Sequence, residues 1–394
     1  IKKISNIYKL INKSKRPVIL LGYGIRVSNC EDNLRKMIDL LKIPVLTSRR
    51  GSDLIESNSK LFFGRPGVYG HRYANIIIQK SDLVISIGSR LSIPLIGRKK
   101  MDFARNAKKI VIDVDENELK KNTLKIDIPF NISADTFINL MISNKIKTKQ
   151  NKKWINECKI IKKTLTFKKE NYSHNKGINP YLFINYLSKI TPEKSAIFMD
   201  GGVIMNYVMQ SFNLKKNQRL ISASGLDNDG FSLLAAYGLV NEIDIENIVV
   251  ICDQNSLFSC LPEFSKIFKN RTPFKIIVFK NIKYKALINT QKDFFGSRYV
   301  ATSEKNTFDF VNNLKNFKID IINIKNSKNY EKKLCNIFDN NKSKIILVDT
   351  DVDHQIKPKM GFSLNYSGKW SPKPLEDMFP FLQSKLLNRL MKIK

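Results

Sequence analysis

The chain has 394 residues, enough for two or three domains, and 42% of them are hydrophobic, which supports a packed core and excludes wholesale disorder. Its formal charge of +33 suggests nucleic acid, yet only 14 of the 68 basic residues are Arg, and the lysines are scattered singly and in pairs. A bidentate grip on bases and phosphates favours clustered Arg, so a solvated lysine-rich surface is the expectation, with no nucleic-acid partner.

Near the N-terminus, Pro17 to Gly22 is a short continuous apolar run ending in Gly22-Tyr23-Gly24, the pattern of a buried parallel strand entering a tight turn. A helical pattern follows through Leu34, Met37, Ile38 and Leu41. Further strand-like runs occupy Pro44–Leu46, Leu83–Ile87 and Ile110–Val114. Strands alternating with helical segments predict a parallel sheet. This first domain spans 1–145. Residues 146–178 read as a linker with a surface helix around Trp154, Ile155 and Ile160. A second series, 179–350, has strands at Ser195–Met199, Ile248–Ile251, Lys275–Phe279 and Ile345–Val348. It also has a small-residue-rich helical stretch, Leu233 to Val240, expected to be buried. Residues 351–394 form a proline-rich tail with one last amphipathic helix. The fold class is α/β, with two doubly wound parallel-sheet domains in series.

No run of eighteen apolar residues occurs, so no membrane span is expected. The five cysteines form no C-x-x-C pair and suit a reducing cytoplasm. The start, Ile1-Lys2-Lys3-Ile4, has no apolar signal core, and the chain is expected to begin partway through a longer reading frame. His71 is expected at a helix surface or cofactor edge, and the Phe294-Phe295 pair in the core.

Ligands of doubly wound sheets bind beyond the carboxyl ends of the strands. Asp253 and Asn281 each follow directly on a strand-like run. Both are hard oxygen donors suited to Mg²⁺, which is usually completed by water and phosphate oxygens. Taken locally, each could equally cap a loop.

The order of segments shifts the balance. Arg16–Gly22, Gly64–Asn75, Asp82–Arg90, Ile110–Asn122, Asp200–Gln210, Gly225–Gly238 (GLDNDGFSLLAAYG), Cys252–Phe264, Lys275–Tyr284, Gly296–Thr302 and Lys373–Met378 occur in sequence. Together they resemble the central and C-terminal domains of thiamine-diphosphate (ThDP) enzymes of the acetolactate synthase type. The resemblance implies a ThDP- and Mg²⁺-dependent transferase, a carboligase that decarboxylates a 2-oxo acid such as pyruvate and passes the acyl carbanion to a second carbonyl compound. Related decarboxylases or carboligases of sugar or polysaccharide biosynthesis, and a degenerate non-catalytic member, are the alternatives. It implies Asp253, Asn281 and the Lys283 carbonyl as Mg²⁺ ligands. It implies a cofactor site of Gly202, Val203, Ile204, Asn228, Asp229, Asp253, Gln254 and Asn255. Arg90 and Asp115 stand where some members contact FAD. The family's N-terminal pyrimidine domain, with its catalytic glutamate, has no counterpart in this sequence. No catalytic residue is therefore expected in this chain, and its site would be completed within a homo-oligomer.

Two departures stand out. Cys252 and Gln254 replace glycines that flank the metal aspartate, so Gln254 is expected to strain the backbone or loosen its grip on the phosphate. Asp229 replaces an apolar residue that supports the bent cofactor in the family.

Overall fold

The computed structural model describes residues 2–144, 148, 151–166, 177–226, 228–239, 245–267, 273–280, 282, 284–302, 314, 317, 319–326, 329–340, 342–351, 354–364 and 366–393. It divides into two compact units, Ile1–Asn171 with Lys357–Lys394, and Tyr172–Ile356.

The first unit is built on five parallel strands: β1 (Pro17–Leu21), β2 (Val45–Thr47), β3 (Leu83–Ile87), β4 (Lys108–Asp113) and β5 (Ile128–Asn131). Their order across the sheet is β2-β1-β3-β4-β5. Alternate residues point to opposite faces, and each face is covered. Ile19, Leu21, Ile85 and Ile110 join a cluster with Ile7, Leu34, Met37 and Phe137. Val18, Leu20, Val84 and Val111 join another with Ile76, Ile77, Trp154 and Leu390. That two-sided burial is why these strands read as unbroken apolar runs.

The linker helix, Lys152–Thr164, belongs to this core through Trp154, Ile155, Cys158 and Ile161. Ile160, expected on its apolar face, is 63% exposed. The apolar set is spaced i, i+1, i+4, i+7, which turns Ile160 outward. Trp154 anchors the helix, its indole N–H donating to the Pro17 carbonyl at 3.1 Å.

The C-terminal residues 357–394 pack on the helix Arg72–Lys80, every residue of which is buried. Arg72 donates to the Met378 carbonyl at 2.8 Å, and Asn75 to the Leu375 carbonyl at 3.0 Å. Gln79 donates to Glu376 at 2.7 Å, and Glu376 also pairs with Arg105 at 2.6 Å. The buried Lys80 ammonium takes Glu157 at 2.6 Å and the carbonyls of Leu390 and Lys392. His71 is buried at the start of this helix, its Nδ1 accepting the Arg65 N–H at 3.0 Å. This corrects the expectation of a surface histidine, because the turn Gly64–Gly70 folds over the ring.

The second unit has six parallel strands: β6 (Ser195–Met199), β7 (Arg219–Ser222), β8 (Asn247–Asp253), β9 (Phe274–Lys280), β10 (Asp320–Ile324) and β11 (Lys344–Asp349), in the order β10-β11-β9-β8-β6-β7. On one face Phe198, Val250, Ile276 and Leu347 pack with Leu233, Ala236, Leu257 and Phe264. On the other, the Phe183 ring of the helix Pro180–Ile190 meets Phe279 with centroids 5.6 Å apart. The helix Phe231–Leu239 buries only one side, since Leu234 remains exposed. Phe295, expected in the core, is 54% exposed. It follows the helix Lys285–Phe294, whose inward positions are the polar Lys285 and Asn289, so the phenyl ring falls on the outer side.

Candidate functional site

In the second sheet the chain runs from β6 outward to β7, then returns past β6 to β8. The order reverses between β6 and β8, and a crevice opens at the carboxyl ends of strands at such a point. Asp200 follows β6 and Asp253 ends β8. Their ladder is continuous to the end, the Asp200 N–H donating to the Ile251 carbonyl at 3.1 Å.

Asp253 caps the helix Gln254–Ser259, with Oδ1 accepting the Ser256 N–H at 2.8 Å. A strand followed at once by a helix needs such an oxygen, because the first N–H groups of a helix have no partner within it. Asp253 is half-buried and pairs in register with Phe279 of β9. The β9 strand ends at Lys280, so Asn281 begins one residue beyond that neighbouring strand. Asn281 and Lys283 themselves lie outside the described residues.

Gln254 occupies the first helical position and is absent from the positive-φ residues, so the strain expected there does not arise. The helical turn accommodates a side chain at that point by directing it away from its own axis.

Three helices begin around this crevice: Gly202–Ser211, Phe231–Leu239 and Gln254–Ser259. The first N–H groups of a helix have no partner within it, so these amino ends carry positive partial charge, and Asp200 and Asp253 take up the N–H groups of Ser232 and Ser256. Gly202 takes φ +59°, and a Cβ there would meet nothing within 4 Å. Its backbone therefore borders open space. Val203 and Ile204, also expected against the cofactor, are buried and seat their helix in the domain. Asn228 and Asp229 are both exposed in the loop before the helix Phe231–Leu239. Gly230 takes φ +84°, and a Cβ there would lie 2.7 Å from Cys260 Sγ. That glycine lets the loop press against the helix after Asp253.

Asp200 heads one of the segments that carry the resemblance, but the sequence gives it no role of its own. It is buried, and one oxygen accepts the Ser232 N–H at 2.8 Å. Its second oxygen has no hydrogen-bond partner, nor do the buried hydroxyls of Ser232 and Ser256. Burial pushes the Asp200 carboxyl up from 3.8 to about 6; the Ser232 amide and both hydroxyls draw it back, and the Asp253 charge adds to the rise. The hydroxyls are thus near enough to act on the carboxylate without being aligned for a bond. Burial also raises the Cys252 thiol well above its usual range, which leaves it unreactive beside the site.

A magnesium-diphosphate group fits this donor set. Asp253 offers a second carboxylate oxygen beyond the one spent on Ser256, and the helix starts offer N–H groups to anionic oxygens. The fit for FAD in the first unit is poor. Arg90 is 79% exposed at its side chain and paired with Glu118 at 2.7 Å, and Asp115 caps the helix Glu116–Lys120. The loops at that sheet's own reversal, between β1 and β3, are closed on each other. A Cβ on Gly22 would lie 2.0 Å from the Gly88 carbonyl oxygen. These residues form no cradle for a flavin dinucleotide in this arrangement.

Comparison with known proteins agrees with this layout. Residues 4–140 match the thiamine pyrophosphate enzyme central domain, and residues 200–350 match the C-terminal TPP binding domain. A probable acetolactate synthase large subunit of Methanococcus aeolicus is 29% identical over 327 residues, 79% of this chain and 54% of that protein. The acetolactate synthase large subunit of Cyanidium caldarium is 27% identical over 342 residues, 85% of this chain and 57% of that protein. The isozyme 2 large subunit of Escherichia coli K12 is 23% identical over 304 residues, 77% of this chain and 54% of that protein. The chain thus spans about half the length of the relatives it matches. Among the described residues no helix is long and apolar enough to cross a membrane. With both domain matches in order, and Asp253 standing at the reversal point of the second sheet, the chain belongs to the thiamine pyrophosphate enzymes and carries their central and C-terminal TPP-binding domains.

Proposed function

We propose that this chain is the cofactor-holding part of a ThDP- and Mg²⁺-dependent carboligase of the acetolactate synthase type, acting on a small 2-oxo acid such as pyruvate within a homo-oligomer. The observation that carries this reading is the position of Asp253, at the carboxyl end of β8 between β6 and β9, with three helix starts around it. When bound, thiamine diphosphate supplies the electron sink for losing carbon dioxide from a 2-oxo acid. The protein's part is to bind and orient. Asp253, Asn281 and the Lys283 carbonyl would hold Mg²⁺, and the N–H groups of Gln254 and Asn255 would hold the diphosphate. Gly202 leaves room for it, and Asn228 and Asp229 form the exposed lip. The catalytic glutamate would come from a pyrimidine domain outside this sequence.

Calorimetric titration with ThDP, in Mg²⁺ and in EDTA, tests the reading. The chain should bind more tightly with Mg²⁺, and Asp253→Ala should remove that gain. Equal affinities with and without metal in the natural chain would overturn it. A second reading, a member that binds cofactor without turning over, is favoured by the exposed carboxylate of Asp229 where the family has an apolar support. Acetolactate formed from pyruvate, once a relative's pyrimidine domain is supplied, separates the two.

A further inference from the structure

Asp200 lies where the two halves of the crevice meet. One oxygen holds the Ser232 N–H, the second N–H of the helix Phe231–Leu239. That helix start follows directly on the loop carrying Asn228 and Asp229. The other oxygen shares a buried space with the Ser232 and Ser256 hydroxyls, all three lacking a hydrogen-bond partner. Ser256 in turn gives its N–H to Asp253. A second tie runs the same way, since the Cys260 thiol donates to the Gly230 carbonyl at 3.4 Å.

We propose that Asp200 is a positioning residue of the cofactor site, its carboxylate joining the Ser232 and Ser256 helix starts to the end of β6 and so fixing the angle at which Asp253 faces a metal. Three polar atoms left unsatisfied together in a buried place are costly. The arrangement is best satisfied when both hydroxyls turn onto the second Asp200 oxygen, which ties the two helix starts to one carboxylate. Such outer partners of a ligating carboxylate set its orientation, and their loss commonly lowers metal affinity by about 10- to 100-fold. The inference rests on the reading of Asp253 as a metal ligand.

The test compares the natural chain with Asp200→Ala and Asp200→Asn. Titrations with ThDP in Mg²⁺ and in EDTA give the metal-dependent gain in affinity. Hydrogen exchange of the Ser232 and Ser256 amides, without cofactor, reports the helix starts alone. Asp200→Ala should lower the metal-dependent gain about 10-fold or more and speed exchange at both amides. Asp200→Asn keeps an acceptor for Ser232 and a polar partner for the hydroxyls, and should restore most of both. An alanine variant that keeps the full gain overturns the proposal. So does an asparagine variant as impaired as alanine, because charge and not position would then be at work. Absence of any metal-dependent gain in the natural chain would instead refute the metal reading, while amide exchange would still report on the ties from Asp200.

Discussion

A buried carboxyl with an unfilled oxygen is a burden on the unloaded protein, and Asp200 shows how large. Its pKa stands near 6 in the fold against 3.8 unfolded, chiefly because burial disfavours the charged form. A carboxyl whose folded pKa is raised contributes its stability fully below the unfolded value and loses it as pH rises through the folded one. The window is therefore about pH 4 to pH 6, with a cost of about 3 kcal/mol above it. Asp200→Asn removes that titration. In urea denaturation without cofactor, the variant should gain on the natural chain across this window and hold a constant advantage above it. A difference that stays flat from about pH 4 upward would show that the carboxyl is not held in its neutral form.

At the scale of elements, what could be read in advance followed position in the sheet. Strands β1, β3, β4, β6, β8, β9 and β11 are flanked on both sides and stood out as apolar runs. Of the edge strands, β2 was legible too, because it is fully buried and bridged by Phe62, whereas β5, β7 and β10 were not anticipated. Ile-Pro-Phe-Asn, Arg-Leu-Ile-Ser and Asp-Ile-Ile-Asn-Ile mix polar residues or proline with apolar ones, because an edge meets water on one side and proline is tolerated there. The site divides similarly. Asp253 was legible because it ends a strong strand. Asp200 was not, because its role depends on Ser232 and Ser256, 32 and 56 residues further along the chain. The glycine turn after β1 was legible, but not its purpose, which is contact with β3's loop. Gly22→Ala tests that purpose. Its Cβ would stand 2.0 Å from a backbone oxygen that cannot swing aside, so β1 and β3 must part. A loss of about 3 kcal/mol or more is expected. It would be read in the fluorescence of Trp154, whose indole is bonded to the first residue of β1. An unchanged melting point would mean that the loops can separate freely.

At the scale of the whole chain, the first unit is discontinuous in sequence, since residues 357–394 belong to it. The reason lies in one helix. Arg72–Lys80 is buried all round and carries Arg72, Asn75, Gln79 and Lys80, whose polar groups need partners that water cannot supply. The C-terminal segment supplies them: four carbonyls and the Glu376 carboxylate, with Leu375 and Leu390 filling the adjoining core. Removing residues 357–394 would take carbonyl acceptors from the buried Arg72 and Lys80, while Lys80 keeps Glu157, a defect of about 1.5–3 kcal/mol for each hydrogen bond lost by a charged group. The second unit contains none of these contacts. Both tryptophans, Trp154 and Trp370, fall in the first unit, so tryptophan fluorescence follows that unit alone. In a chain ending at Ile356, the Trp154 transition should move to much lower urea or be lost, and amides of Arg72–Lys80 should exchange freely. Amides of β8 and β9 should keep their protection. If both units lose protection together, the C-terminal segment supports the whole chain. If neither changes, the buried polar row on Arg72–Lys80 finds other partners, and the tail is dispensable.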